Sequence, residues 1–354
     1  MSQIYNVIGI MSGTSLDGLD VAFCHFERTQ KKWQYQIIKA VTLKYPELWK
    51  QKLSAASGLT ALDFSFLHTE YGNYIGKIVK NFVTQHNFRP DFVCSHGHTV
   101  FHRPDKMLTV QIGSGAAIAV RSGLTTVCDF RATDVAYGGQ GAPLVPIGDE
   151  LLFSNFDICL NIGGFANLSY KNKNERIAFD LCPANIILNH LARKINKDYD
   201  AGGRIAKKGC LINYLLDKLN HLEYYRRDQP KSLGREWLES DFLPLVESYS
   251  DYPVKDLMCT VTHHIAEQIS DNINKIQARN VLVTGGGAYN SFLTGLIRKR
   301  CRAEIVLPEK ELIDYKEALI FAFLGILRMN HENNCLKSVT GAVKNNCGGA
   351  VYFP

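Results

Sequence analysis

The feature that most constrains this chain is a repeated order of elements. IYNVIGIMSGTSLDGLDVAFCHF places an apolar run, a Gly/Ser/Thr turn and a second apolar run at the start of the chain, and FDICLNIGGFANLSYKN does the same in the middle. Short apolar runs on either side of a glycine-rich turn read as buried β-hairpins. Each hairpin is followed by a third strand, YQIIKAVTL in the first half and ERIAFDL in the second. Helical patterns come next, then another buried strand, DFVCSH or NVLVTGGG. Both halves thus read β-β-β-α-β-α without visibly repeating their residues. Strands joined by helical crossovers predict two α/β layers, each with a mixed sheet.

The length of 354 residues fits two such domains. The stretch Asp129–Gly148, DFRATDVAYGGQGAPLVPIG, interrupts helix and strand patterns as an interdomain hinge or a long surface loop would. The expected boundaries are 1–130 with 338–354 for the first domain, and 131–337 for the second. The glycine-rich C-terminal tail is expected back on the first domain. Ten scattered cysteines without a CxxC pair suit a reducing compartment. The net charge of +6 is spread along the chain with no long basic run, which argues against a nucleic-acid groove or a polybasic membrane patch. The N-terminus lacks signal-peptide features, and the longest apolar run, Ala318–Leu327, is about half of a bilayer span. A cytoplasmic location, without membrane or nucleic-acid partners, is expected.

Three glycine turns carry candidate chemistry. Gly13-Thr14-Ser15-Leu16-Asp17-Gly18, with Leu19 and Asp20 beyond, offers backbone N–H groups and hydroxyls suited to phosphate oxygens, or a plain structural hairpin. Asp17 and Asp20 are candidate magnesium ligands. Gly163-Gly164 occupies the matching place in the second half. Gly285-Gly286-Gly287 is expected between a strand and a helix, where free N–H groups at the helix terminus favour phosphate. Together they indicate a nucleotide clamped between domains. Asp180 ends a strand just before a helix, where it could be a general base or a helix cap. His96 and His98 are expected on one strand face, as structural or substrate-contacting groups; no acid or Cys at ligand spacing supports zinc. Glu317 could complement a helix dipole or contact a sugar.

GIMSGTSLDGLDVA, DFRATDVAYGGQGAPLVP, LNIGGFANLS, KSLGRE and LVTGGGAYN together resemble the 1,6-anhydro-N-acetylmuramic acid kinases, from about residue 7 to 328. The resemblance implies the sugar kinase, Hsp70 and actin superfamily: two ribonuclease-H-like domains, of the actin/hexokinase/Hsp70 ATPase fold, with a cleft that closes over ATP, Mg2+ and the sugar. It implies that water adds across the 1,6-anhydro bridge while the γ-phosphoryl group passes to O6. It places the general base on Asp180, the phosphate loop on Gly13–Asp20, further nucleotide turns on Gly163–Gly164 and Gly285–Gly287, and substrate contacts on Arg131, Asp134 and Glu317. It also implies a homodimer. Two departures stand out. The family's DTGPGN reads Asp180-Leu181-Cys182-Pro183-Ala184-Asn185 here, and its HGQT reads His96-Gly97-His98-Thr99. A kinase of the same fold acting on another sugar, and a non-catalytic ATP-driven binding module, are the alternatives.

Overall fold

The computed structural model describes residues 3–13, 16–30, 32–229 and 231–354. It divides into two compact units, Met1–Leu152 with Tyr315–Pro354, and Phe153–Asp314. The first unit is built on β1 (Gln3–Ser12), β2 (Gly18–Thr29), β3 (Lys32–Lys44), β4 (Phe92–Arg103), β5 (Leu108–Ile112) and β6 (Thr126–Cys128). The second holds β7 (Ile158–Ile162), β8 (Phe165–Asn172), β9 (Glu175–Pro183), β10 (Asn280–Thr284) and β11 (Glu304–Val306). A last strand, β12 (Ala350–Tyr352), returns to the first unit and pairs with β6.

The two sheets have the same plan. The first runs β3-β2-β1-β4-β6, extended by β12, with β5 hung on β4; the second runs β9-β8-β7-β10-β11. In each, the opening three strands are antiparallel and the first strand is parallel to the fourth. A parallel neighbour requires a crossover, and helices supply it. In the first unit the long one is Ala61–His86, begun where Thr60 accepts the N–H of Asp63 and ended by Asn87 in the left-handed region, φ 52°. In the second it is Val254–Ile276, which buries Leu257, Val261, Ile265, Ile269 and Ile273 at four-residue spacing. This is the ribonuclease-H-like topology, present twice.

The boundaries differ from those expected. Glycine and proline in 129–148 mark turns within the first unit, because Asp134 ties that stretch to its C-terminal segment. The Asp134 carboxylate accepts from the Gly141 N–H, the Thr340 hydroxyl and the Asn346 amide, all at 2.8–2.9 Å. The second boundary falls inside the helix Lys310–Met329, at Tyr315, whose φ of −119° and ψ of 15° interrupt it. From there the apolar run 318–327 is buried on all sides. It lies so close to the first sheet that a Cβ on Gly9 would sit 1.9 Å from the Ala318 carbonyl oxygen. No helix among the described residues is long and apolar enough to cross a membrane.

Candidate functional site

The expected site residues form two groups, one in each unit. In the first unit, the turn after β1 places Leu16 in the left-handed region, φ 59°, with its N–H on the Gly13 carbonyl. Thr14 and Ser15, expected to contact phosphate, lie outside the described residues. Asp17 is exposed and Asp20 is half-buried on β2. Leu19 is fully buried in the core, so only its backbone can serve a ligand.

The absence of a Cβ at Gly9 lets the helix bearing Glu317 pack onto β1, next to β2. There the structure groups Asp20, Glu317 and Arg131. Asp20 accepts the Thr42 hydroxyl at 2.6 Å. The surrounding protein pushes the Glu317 carboxyl above its usual range, the Arg131 guanidinium opposes that rise, and the Asp20 carboxylate adds to it. The Glu317 side chain is exposed, so solvent screens these interactions. Arg131 donates to His96 Nε2 through both Nε and Nη2, at 3.2 and 2.9 Å, and to the Gly141 carbonyl at 2.6 Å. His96 Nε2 must therefore accept, so the ring proton sits on Nδ1, which donates to the Gly97 carbonyl. Burial and the adjacent guanidinium hold His96 neutral, well below the usual histidine range. Arg131 is thus a fixed cation beside Glu317.

Asp134 does not join them. It is fully buried and its oxygens are occupied by Gly141, Thr340 and Asn346, so direct substrate contact gives way to a positioning role for the loop that carries Gly141. His96 and His98 do not share surroundings either. A register shift between Ile10 and Ser12, with Gly97 at φ 71°, separates them. His96 packs against Phe321, whereas His98 packs against Tyr71. His98 ends a buried chain of hydroxyls, Tyr71 to Tyr45 to Ser12 to His98 Nδ1. Burial lowers its pKa to about 4.

In the second unit, Asp180 lies on β9 opposite Asn167. It does not cap the helix Asn185–Arg193, whose N-cap position is Ala184. The KSLGRE segment holds Asp180 in place. Its N–H donates to the Lys231 carbonyl at 3.1 Å, and its Oδ2 accepts the Leu233 N–H at 2.8 Å. Tyr224 donates to its carbonyl oxygen at 2.8 Å. Burial raises the Asp180 pKa and the Leu233 N–H lowers it. A half-buried carboxylate with one oxygen fixed by a backbone donor is oriented for proton transfer. The role of KSLGRE was not legible in the sequence, because its contacts with Asp180 are backbone groups some fifty residues away along the chain.

A bulge between Ala166 and Asn167 in the β8–β9 pairing brings the residues after Asp180 inward. Leu181 and Cys182 are buried at 1 % and 0 % exposure, in the apolar core with Phe179, Ile187 and Leu188. The departures from DTGPGN therefore fill the core, where burial and the Asp180 carboxylate push the Cys182 thiol up. The glycine turns face each other within this unit. A Cβ on Gly285, φ 81°, would lie 2.5 Å from Asn161 Oδ1, and one on Gly287 would strike Ile162. The Asn185 amide donates to the Ile162 carbonyl, and the carbonyls of Gly163 and Gly164 accept from Asn185, Ala184 and Ile186. Gly164 and Gly286 are exposed. As expected, Gly285–Gly287 lie between β10 and a helix, Ser291–Arg300; a 3-10 turn, Gly286–Tyr289, joins them, and Asn290 caps the helix.

Residues 5–354 match the family described as anhydro-N-acetylmuramic acid kinase. A protein of that name from Francisella tularensis subsp. novicida is 35% identical, covering 100% of both chains. Another from Hydrogenovibrio crunogenus is 32% identical over 100% of this chain and 99% of its own. A third, from Clostridioides difficile, is 33% identical over 95% of each.

Proposed function

Because this chain belongs to the anhydro-N-acetylmuramic acid kinase family, we propose a division of the reaction between its two residue groups. The enzyme is an ATP-dependent sugar kinase. It consumes 1,6-anhydro-N-acetylmuramic acid, water and ATP, and yields N-acetylmuramic acid 6-phosphate and ADP. Asp180 accepts a proton from the water that attacks the anomeric carbon. The C1–O6 bond breaks, and O6 takes the γ-phosphoryl group as ADP leaves. Leu233 N–H fixes one carboxylate oxygen, so that the other is presented to water. Arg131, held by His96 and Gly141, supplies positive charge without having to reorganise. Glu317 accepts from sugar hydroxyls.

Gly13–Asp20, including Thr14 and Ser15, receives the phosphates, and Gly163–Gly164 with Gly285–Gly287 approach the nucleotide where side chains are absent. Asp20 and Glu317 are hard oxygen donors whose charges interact, a donor chemistry that fits Mg2+. We assign Asp20, with Asp17 beyond it, to hold that ion, which when bound neutralises charge on the phosphate oxygens. This reading implies work in the cytoplasm, where ATP is available, and a homodimer in solution, which light scattering would test.

The observation that carries the proposal is the oriented, half-buried Asp180. Its test is ADP release with magnesium-ATP and 1,6-anhydro-N-acetylmuramic acid, for the wild type and Asp180→Asn. A fall of about 10²–10⁴-fold in kcat is expected. Equal activity would remove Asp180 from the role of base.

A further inference from the structure

Four polar side chains from separate parts of the first unit meet at the end of β1. Ser12 closes β1, His98 is its partner on the parallel strand β4, Tyr45 follows β3, and Tyr71 lies in the helix Ala61–His86. All four are buried, and Tyr45 and Tyr71 belong to the apolar core that also holds Ile10, Leu19 and Trp49. Ser12 is 1 % exposed, so its hydroxyl is not offered to a ligand and can act only through the backbone it holds.

The hydrogen bonds of this group run in one direction. Tyr45 donates to Ser12 Oγ at 2.8 Å, which leaves the Ser12 hydrogen for His98 Nδ1, 3.0 Å away. His98 Nδ1 therefore accepts, and the ring proton sits on Nε2. The Tyr45 oxygen, whose own hydrogen is used, accepts from Tyr71 at 2.6 Å. Burial keeps the His98 ring neutral, the form that has an acceptor to offer. Buried networks of this kind fix one arrangement of the elements that carry them.

The arrangement at stake is the turn that begins at Gly13. It leaves β1 at Ser12 and rejoins the sheet at Gly18 and Leu19. Leu19 pairs with Ser12, and Gly18 pairs with Lys44, the residue before Tyr45. The corner Lys44–Tyr45 thus holds both ends of the turn, Gly18 by strand pairing and Ser12 by a hydroxyl. His98 holds Ser12 from β4, on the other flank of β1. Backbone N–H groups serve an anion best when they are aimed before it arrives.

We propose that His98 and Tyr45 are positioning residues for nucleotide phosphate: by gripping the Ser12 hydroxyl from both flanks of β1, they fix the course on which the Gly13–Asp20 turn departs. The inference rests on reading that turn as the phosphate loop. It gives His98, which stands where the family's HGQT has glutamine, an inward task that a glutamine Oε1 could also perform.

Calorimetric binding separates positioning from plain stability. The probes are a non-hydrolysable ATP analogue with Mg2+, and adenosine, which lacks the phosphates. The wild type should bind the analogue more tightly than adenosine. Tyr45→Phe keeps the ring and removes the donor, whereas His98→Leu removes the acceptor. Each should weaken the analogue about 5- to 10-fold and leave adenosine within about twofold. His98→Gln should hold the analogue within about threefold of the wild type. Melting curves set a temperature at which every variant is folded. Analogue binding unchanged in Tyr45→Phe and His98→Leu, a parallel fall for adenosine, or a His98→Gln variant as weak as His98→Leu overturns the inference alone. A wild type that binds the analogue no better than adenosine overturns the phosphate-loop reading, and the inference with it.

Discussion

Leu181→Thr restores the hydroxyl found in the family's DTGPGN pattern, and the structure predicts that it harms stability without improving catalysis. Leu181 is 1 % exposed, inside the apolar core of the second unit. Threonine removes two carbons of buried hydrocarbon, a loss of about 1.5–2 kcal/mol. It also places a hydroxyl in the apolar core of the second unit, at a further cost of about 1–3 kcal/mol if it finds no partner. The expected destabilisation is about 3 kcal/mol. For a unit of this size it corresponds to about 6–12 °C in the melting transition. Urea unfolding followed by circular dichroism measures the first quantity, and ADP release at a permissive temperature measures kcat and KM. Stability unchanged with an altered kcat would refute the placement, since the side chain would then face the reacting groups. A simultaneous gain in both would be equally fatal to it.

The remaining expectations concern the two residue groups. Leu233→Pro removes the N–H that lowers the Asp180 pKa, whereas Leu233→Ala keeps it. A base works ionised, so activity rises as pH passes upward through its pKa, and only the proline variant should shift the acid limb of kcat/KM to higher pH. Coincident limbs in both variants would count against the contact. Asp134→Ala removes the carboxylate that three buried donors share, and should cost about 3 kcal/mol in urea unfolding, with KM changing through the displaced loop. A fully stable variant with raised KM would restore direct substrate contact. His98 has a folded pKa of about 4 against an ordinary 6.5. A depressed histidine contributes stability that is present above the unfolded pKa and lost as pH falls to the folded one. The wild type should therefore lose about 3 kcal/mol more than His98→Gln between pH 6.5 and pH 4. Parallel losses would show that His98 is not held neutral by the fold.

The duplicated sheet was legible because buried strands and glycine turns are local signals: apolar runs such as NVIGI and DICLNI read directly as the first strand of a hairpin in each unit. Asp180 stood out as a polar residue after an apolar run, but the strand it was expected to end continues to Pro183. The boundaries were not legible. Glycine and proline in 129–148 describe local backbone geometry, whereas domain membership depends on hydrogen bonds such as those from Thr340 and Asn346 to Asp134. The faces of His96 and His98 were misread because a register shift and a positive φ at Gly97 break the two-residue alternation. Gly285–Gly287 read correctly as a strand-to-helix turn, but their packing against Ile162 and Asn161 was not legible.

The sequence by itself determined the element order, the glycine turns and the carboxylates available for chemistry, because these follow from residue type and spacing. The tertiary structure alone decided that Leu181 and Cys182 fill the core and that Leu233 holds Asp180. It also decided that Asp134 is spent on a loop. Each is a matter of which groups, distant along the chain, meet after folding, and of which hydrogen-bonding partners remain once the backbone and core have taken theirs.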